Sequence, residues 1–441
     1  LDIFGIKRWA AGASVGCALT GCAADPSAGT TVLALTGERP AAGLHWQVAT
    51  PDGAQDLGAG AAEAVAPSPS TKGEARLQAR ARDGVDGAVT LQWRDTWYAA
   101  ARLVADPPLD LRPYLADGTV DFDVDVHEMA GSGLTIAMGC GEDCERKINW
   151  APSSRALQGR GWQHVSVPLR CLERDGTDFG AITRPLVIEA GGAQGSASVS
   201  GVRIVRGGRP NVGCIDYRLE SVTPQPLAEW WALDWWMARH EDKLAEVRRR
   251  VAAGRQPQVV FIGDSITHQW ETVGRAVWDE HYGPLDALDL GFSGDRTENV
   301  LWRLQHGEVD GLEPKLVVMM IGTNNTGHRQ EDPQTTAAGV QRLVEELRRR
   351  LPGARVLLLA VFPREERPDA RLRRINDGVN ARIAGLQDGR HVFFLDIGAA
   401  LVRPDGTLSR DVMPDLLHPG EQGYRLWADA MQPMLRKLLQ D

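Results

Sequence analysis

The sequence predicts two folded parts in series, an all-β sandwich and then an α/β domain built on a parallel five-stranded sheet. Three observations predict this. Val120-Asp121-Phe122-Asp123-Val124-Asp125-Val126 alternates strictly, the period of two of a strand with one buried face. From Leu227 onward, five nearly continuous apolar runs alternate with helical segments, as parallel strands covered on both faces do. Between the two patterns, Gly207 to Pro226 reads as a connector.

A chain of 441 residues is long enough for two or three domains of ~100–200 residues each. With 43% hydrophobic and 24% charged residues it has the composition of a globular protein, which excludes a disordered chain or a coiled-coil rod. The net charge of −9 includes −5 over residues 23–210 and −5 over residues 211–441. Neither part has the positive excess of a nucleic-acid binder. Fourteen Trp against five Tyr and eight Phe is a skew that suits stacking on flat, sugar-like faces as well as core packing.

Residues 1–22 read as a lipoprotein signal segment. Lys7 and Arg8 are followed by a small and apolar run, then by Leu19-Thr20-Gly21-Cys22. The run is too short to span a bilayer. The pattern resembles the bacterial signal in which Cys22 is lipidated, and it implies an exported, periplasmic or outer-membrane-anchored protein of a Gram-negative bacterium. Contact with a membrane is then expected only through that anchor. Residues 23–210 form the sandwich part. Residues 23–75 are rich in Ala, Gly, Ser, Pro and Thr, and Ala64 to Thr71 reads as a loop. The strands expected after it are Ala88–Trp93, Val120–Val126, Leu134–Met138, His164–Leu169 and Ala197–Ile204. Cys140, Cys144, Cys171 and Cys214 suggest disulfides, with three pairings open. Cys140 and Cys144 lack a suitably spaced His for zinc, and no metal is expected.

Residues 211–226 form the linker, and 227–441 the α/β domain. Leu227 to Gly254 reads as helical, with Trp230, Trp231, Trp235 and Trp236 near its start. The strands are Gln258–Gly263, Leu285–Leu290, Leu316–Ile321, Arg355–Val361 and Val392–Leu395. Helices are expected over Thr335–Leu351, Pro368–Leu386 and Glu421–Leu439. In such sheets the ligand sits at the carboxyl ends of the strands.

The first strand runs into Gly263-Asp264-Ser265, which puts a serine at the sheet mouth just before a helix, where free N–H groups hold a developing anion. Serine needs a base. Asp415-Leu416-Leu417-His418 offers one: a carboxylate three residues before a histidine holds the ring by one nitrogen and leaves the other for Ser265. Ser293-Gly294-Asp295 and Gly322-Thr323-Asn324-Asn325 follow the next two strands. The N–H groups of Ser265 and Gly294 and the Asn324 amide would give three donors to an oxyanion. Asp295, Asn325, His328 and Trp97 are the candidate substrate contacts. His268, His281 and His306 read as surface or packing residues.

These four blocks, with Leu301-Trp302-Arg303-Leu304, resemble the SGNH (GDSL-like) hydrolases, and within them the platelet-activating-factor acetylhydrolase-like branch. The resemblance implies a flavodoxin-like domain with Ser265 as nucleophile, Gly294 and Asn324 in the oxyanion hole, Asp415 and His418 as the base pair, and no cofactor. The sequence departs from that branch at Ser293, where a glycine is common. Residues 43–207 resemble the galactose-binding-like sandwich appended to some family 3 glycoside hydrolases, on Leu109-Asp110-Leu111, Phe122, Gly139-Cys140, Cys144, Trp162 and Val167-Pro168-Leu169-Arg170-Cys171. Trp93, Trp97 and Trp150 are its candidate sugar-stacking residues. Together the resemblances imply an exported serine esterase acting on acetylated carbohydrate, with xyloglucan or xylan as candidate polymers. The alternatives are a lipid or aryl esterase, such as a lysophospholipase, and a non-catalytic carbohydrate-binding lipoprotein.

Overall fold

The computed structural model describes residues 29–37, 41–82, 85–141 and 144–440. The signal segment and its Cys22 lie outside the described residues. The sandwich is built from β1 (Thr30–Ala34), β2 (Leu44–Thr50), β3 (Gly53–Asp56), β4 (Glu63–Ser68), β5 (Gly73–Arg82), β6 (Val85–Ala105), β7 (Gly118–Ala130), β8 (Thr135–Gly139), β9 (Glu145–Asn149), β10 (Gln163–Pro168) and β11 (Arg184–Arg206). All are antiparallel, and the main path runs β10-β7-β11-β6-β2-β3. The long strands β6 and β11 pair with each other from Val89↔Val199 to Leu103↔Leu186. Each changes its outer neighbour midway: β6 leaves β5 for β2, and β11 leaves β8 for β7. The change falls at a bulge between Ala190 and Gly192. A bulge bends a strand, and the sheet folds over a core that includes Trp46, Leu77, Leu91, Phe122, Ile136, Ile188 and Ile204.

Two expectations are corrected here. Residues 64–68, read as a loop, belong to β4, whose Ala64, Ala66 and Ser68 alternate inward. Side chains this small give almost no hydrophobic period, so the strand was hidden. Trp93 and Trp150 are 3% and 7% exposed. They belong to the core and cannot stack on a sugar. Trp97 is 65% exposed. The open disulfide question resolves to Cys140–Cys144 and Cys171–Cys214.

The second sheet comprises β12 (Val259–Gly263), β13 (Leu288–Gly291), β14 (Leu316–Met320), β15 (Arg355–Leu359) and β16 (Val392–Leu395), in the order β13-β12-β14-β15-β16, all parallel. This is the doubly wound, flavodoxin-like order, with its crevice where the winding reverses beside β12. The strands' residues split by parity. Val260, Ile262, Val317 and Met319 pack under the helices Thr297–Gln305 and Pro333–Arg350. Val259, Phe261, Val318 and Leu357 pack against Trp270, Tyr282, Tyr424 and Trp427 on the other face. Among the described residues no helix is long and apolar enough to cross a membrane.

The helix expected from Leu227 starts only at Trp236 and ends at Ala252. The turn before it bolts the two parts together. Trp230 fills the notch at the sandwich bulge: a Cβ at Gly191 would lie 2.6 Å from the Trp230 ring. Arg155 of the sandwich donates to the Trp230 carbonyl and pairs with Asp234 at 2.6 Å. Arg146 pairs with Glu220 at 2.6 Å, and Arg174 donates to the Arg329 carbonyl. The segment read as a linker is also packed, with Thr297 donating to the Ser221 carbonyl.

Asp289 on β13 is a testable weak point. Its Oδ1 accepts from the Gly291 N–H, and its Oδ2 has no hydrogen-bond partner. Burial, with the nearby Glu271 charge, pushes the carboxyl up to about 8. An unfolded aspartate titrates near ~3.9. The native state therefore favours the neutral form, and this contribution is complete below about pH 4 and lost as pH rises through about 8. Asp289→Asn should be close to the parent at about pH 5 and more stable by on the order of 1–3 kcal/mol at about pH 9. Urea unfolding at the two pH values measures this. An equal effect at both would show that the carboxyl does not carry the pH dependence.

Candidate active site

At the end of β12 the chain turns through Gly263 and Asp264 into the short helix Ser265–His268. Asp264 caps it, its Oδ1 accepting from the Ile266 N–H at 3.0 Å. The Tyr424 hydroxyl from the last helix donates to the Ile266 carbonyl at 2.7 Å. The Ser265 N–H is at the first helical position, where the helix offers no acceptor. Ser265 Oγ lies 2.8 Å from His418 Nε2, and His418 Nδ1 lies 2.6 Å from Asp415 Oδ2. The other Asp415 oxygen accepts from the backbone N–H groups of Leu417 and His418. Burial raises the Asp415 carboxyl, but the His418 N–H, the His418 ring and the Leu417 N–H outweigh it and hold it below its usual value. Leu416, between the pair, has φ 63°. This left-handed conformation is costly for a branched side chain, and it curls the backbone tightly enough for both residues to meet.

The loop after β13 carries Gly294 at φ 81°. A Cβ there would meet the Trp231 ring at 2.0 Å, so glycine is required by both conformation and space. Asn324 lies in the first turn of the helix Thr323–His328 after β14, and its Nδ2 donates to the Asp295 carbonyl at 2.9 Å. One amide hydrogen thus ties the two loops together, and the second remains for a substrate oxygen.

Two expected substrate contacts are placed elsewhere. Asp295 is fully buried and accepts from Trp236 Nε1 at 2.6 Å and from Arg303 Nε at 2.8 Å. Asn325 is also fully buried and holds the Thr297 N–H, the Thr297 hydroxyl and Ser221. Both brace the loops from behind and cannot reach a ligand. His328 and Trp97 line a cavity of about 500 Å³ between the sandwich and the α/β domain.

The sequence reading missed several supports. His268, expected at the surface or in packing, accepts at Nδ1 from the Ser293 N–H and lies 3.0 Å from the Ser293 hydroxyl. Burial, with the Arg239 charge, pushes His268 down to about 4, so the ring stays neutral and can accept. A glycine at 293 would keep the N–H bond to His268, and only the hydroxyl contact is particular to serine. Arg303 is fully buried. It joins Asp295, Glu308 and the Leu290 carbonyl, and its guanidinium lies 3.9 Å over the Phe292 ring. Its place in a Leu-Trp-Arg-Leu segment is visible in the sequence, but the convergence of Asp295, Glu308 and the Leu290 and Gly263 carbonyls on it appears only in the fold. Among the described residues no group of three or more His, Cys, Asp or Glu side chains is placed to hold a metal ion.

Comparison with known proteins places both parts of the chain in families. Residues 261–426 match the GDSL-like Lipase/Acylhydrolase family, and residues 46–204 match a galactose-binding domain-like family. The platelet-activating factor acetylhydrolase IB subunit alpha1 of Bos taurus is 38% identical over 210 residues, covering 46% of this chain and 84% of that protein. An acetylxylan esterase from Geobacillus stearothermophilus aligns over 41% of this chain and 93% of its own, at 20% identity and TM-score 0.33. The extra C-terminal domain of an exo-1,3/1,4-beta-glucanase from a Pseudoalteromonas species aligns over 42% of this chain and 96% of its own, at 17% identity and TM-score 0.32. With a serine, a histidine and two loop donors gathered at the mouth of this sheet, and with that degree of identity to an acetylhydrolase, the chain belongs to the GDSL-like lipase/acylhydrolase family and is an ester-hydrolysing enzyme.

Proposed function

We propose that the protein removes O-acetyl groups from carbohydrate, with Ser265 as nucleophile, His418 as base and Asp415 as the group that orients it. The observation that carries the catalytic roles is the unbroken relay from Ser265 Oγ to His418 to Asp415. The acetyl group is supported by the acetylhydrolase name of relatives sharing more than a third of their aligned residues. Carbohydrate is supported by the galactose-binding-like part packed beside the site. Export and a lipid on Cys22 belong to the same reading.

In this mechanism His418 Nε2 takes the Ser265 proton as Oγ attacks the ester carbonyl carbon. The carbonyl oxygen becomes an oxyanion facing the Ser265 and Gly294 N–H groups and the free Asn324 amide hydrogen. His418 then gives its proton to the departing sugar oxygen as the C–O bond breaks, leaving an acetyl-serine. Water adds to that carbonyl with His418 again as base, and acetate leaves as the proton returns to Ser265 Oγ. Asn324→Ala should lower kcat by about 100–1,000-fold with a much smaller change in KM, since its amide meets charge that exists only in the transition state. Steady-state kinetics on an aryl acetate gives the split.

The substrate class is tested by acetate release from acetylated xylan and acetylated xyloglucan, with phospholipids and aryl esters alongside. A kcat/KM on acetylated carbohydrate well above that on the lipids is expected. Preference for the phospholipids would replace carbohydrate with a lipid substrate.

A further inference from the structure

We propose that the cavity between the two parts is a binding subsite for the uncharged sugar backbone of the substrate, and that Trp97 of the sandwich is its stacking platform. The proposal rests on acetylated carbohydrate being the substrate class and adds where the rest of the chain is held. The cavity's volume of about 500 Å³ is within the range of about 300–1,000 Å³ typical of small-molecule sites, and it suits a short oligosaccharide.

Its position follows from the same loops that carry the oxyanion donors. Trp231 forms part of the cavity wall and lies directly against Gly294. His328 and Arg329 stand at the far end of the helix whose first turn holds Asn324. Arg296 lies two residues beyond Gly294. The cavity is therefore a continuation of the catalytic loops, and its opposite wall is the sandwich. The family match over residues 261–426 supplies only one side.

The chemistry of the lining selects the ligand. Its charged groups are already paired: Lys147 with Glu189 at 2.9 Å, Arg296 with Glu229 at 2.9 Å, and Arg329 with Glu220 at 3.1 Å. A charged headgroup or uronate would have to displace one of these partners. Neutral hydroxyls need not, because the pairs keep lone pairs and N–H groups that a hydroxyl meets as donor or acceptor. The cavity also carries four neighbouring aromatic rings, from Trp97, Tyr98, Trp230 and Trp231. Trp230 is used in the interface, whereas Trp97 is 65% exposed. A large aromatic ring beside paired polar groups matches the alternating apolar faces and hydroxyl edges of a sugar.

Binding is measured on the full chain carrying Ser265→Ala, which cannot turn over. Calorimetric titration uses xylotetraose and cellotetraose as probes, with glycerophosphocholine as the charged comparison. The oligosaccharides should bind and glycerophosphocholine should not. Adding Trp97→Ala should weaken oligosaccharide binding about tenfold, and Trp97→Phe should restore part of it. In the active chain, Trp97→Ala should lower the ratio of kcat/KM on acetylated oligosaccharide to that on 4-nitrophenyl acetate. Unchanged binding in Trp97→Ala, or binding of glycerophosphocholine in preference, overturns the subsite. If the parent cleaves acetylated oligosaccharides but the ratio does not move, the subsite fails and the esterase reading stands. If the oligosaccharides bind through Trp97 but are not deacetylated, the substrate reading fails and the subsite stands.

Discussion

Ser265→Ala should lower kcat on any ester by ~10⁶-fold, to the residual rate that the oxyanion donors and binding provide. The reason is that, among the described residues, Ser265 Oγ is the group hydrogen-bonded to His418 Nε2, and that bond is the one side-chain hydrogen bond Ser265 makes. His418→Ala should be nearly as damaging, since Ser265 then has no base. Asp415→Ala should retain roughly 10–100-fold more activity than either. Its side chain is 55% exposed, so water can take over part of its contact with His418 Nδ1. In the proposed mechanism it does not accept the proton and instead fixes the ring tautomer and orientation. Single-turnover and steady-state rates of the three variants, each with thermal unfolding to verify the fold, give the ranking. Asp415→Ala falling below His418→Ala in a folded protein would contradict these roles, and substantial activity in Ser265→Ala would make another residue the nucleophile.

Replacing Arg303 with alanine is expected to give the largest loss of stability, about 3–5 kcal/mol. The guanidinium is fully buried between Asp295 and Glu308 and also donates to the Leu290 carbonyl. Removing it leaves two carboxyls buried without their cation. Burial already raises both carboxyls, and Arg303 is the main opposing influence. Arg303→Lys should recover only part of the loss, because an ammonium lacks the planar fork that reaches acceptors on three sides. Asp295 also receives Trp236 Nε1, and its carbonyl receives Asn324. The damage should therefore appear in kcat as well as in the unfolding midpoint. Urea unfolding of the parent, Arg303→Ala and Arg303→Lys provides the measurement. A loss below about 1 kcal/mol in Arg303→Ala would show that the ion-pair network is not needed.

Much of the α/β half was legible in the sequence because its signals are local. The five apolar strands are buried on both faces, so each reads as a short continuous run, and the helices carry a clear period. Ser265, Asn324 and His418 stand out as candidates because each follows a strand end or a turn in a short motif. The sandwich was only half legible. Strong alternation revealed β7 and β10, but the inward residues of β4, Ala64, Ala66 and Ser68, are so small that they give almost no hydrophobic period. Trp93 and Trp150 stay open between core and binding face in the sequence for a related reason: tryptophan has the same composition signal in both, and only burial separates them.

The two-part order, the parallel sheet and the identity of the residues at the strand ends can be read along the chain, because these depend on patterns within a few residues of one another. The tertiary structure alone decided the rest. It set the disulfide partners, the withdrawal of Asp295 and Asn325 behind the loops, the part His268 plays under Ser293, and the placing of Trp230 in the sandwich while Trp231 lies on Gly294. Each depends on which distant side chains come within hydrogen-bond or van der Waals reach, and that distance is fixed only when the strands have paired and the two parts have packed.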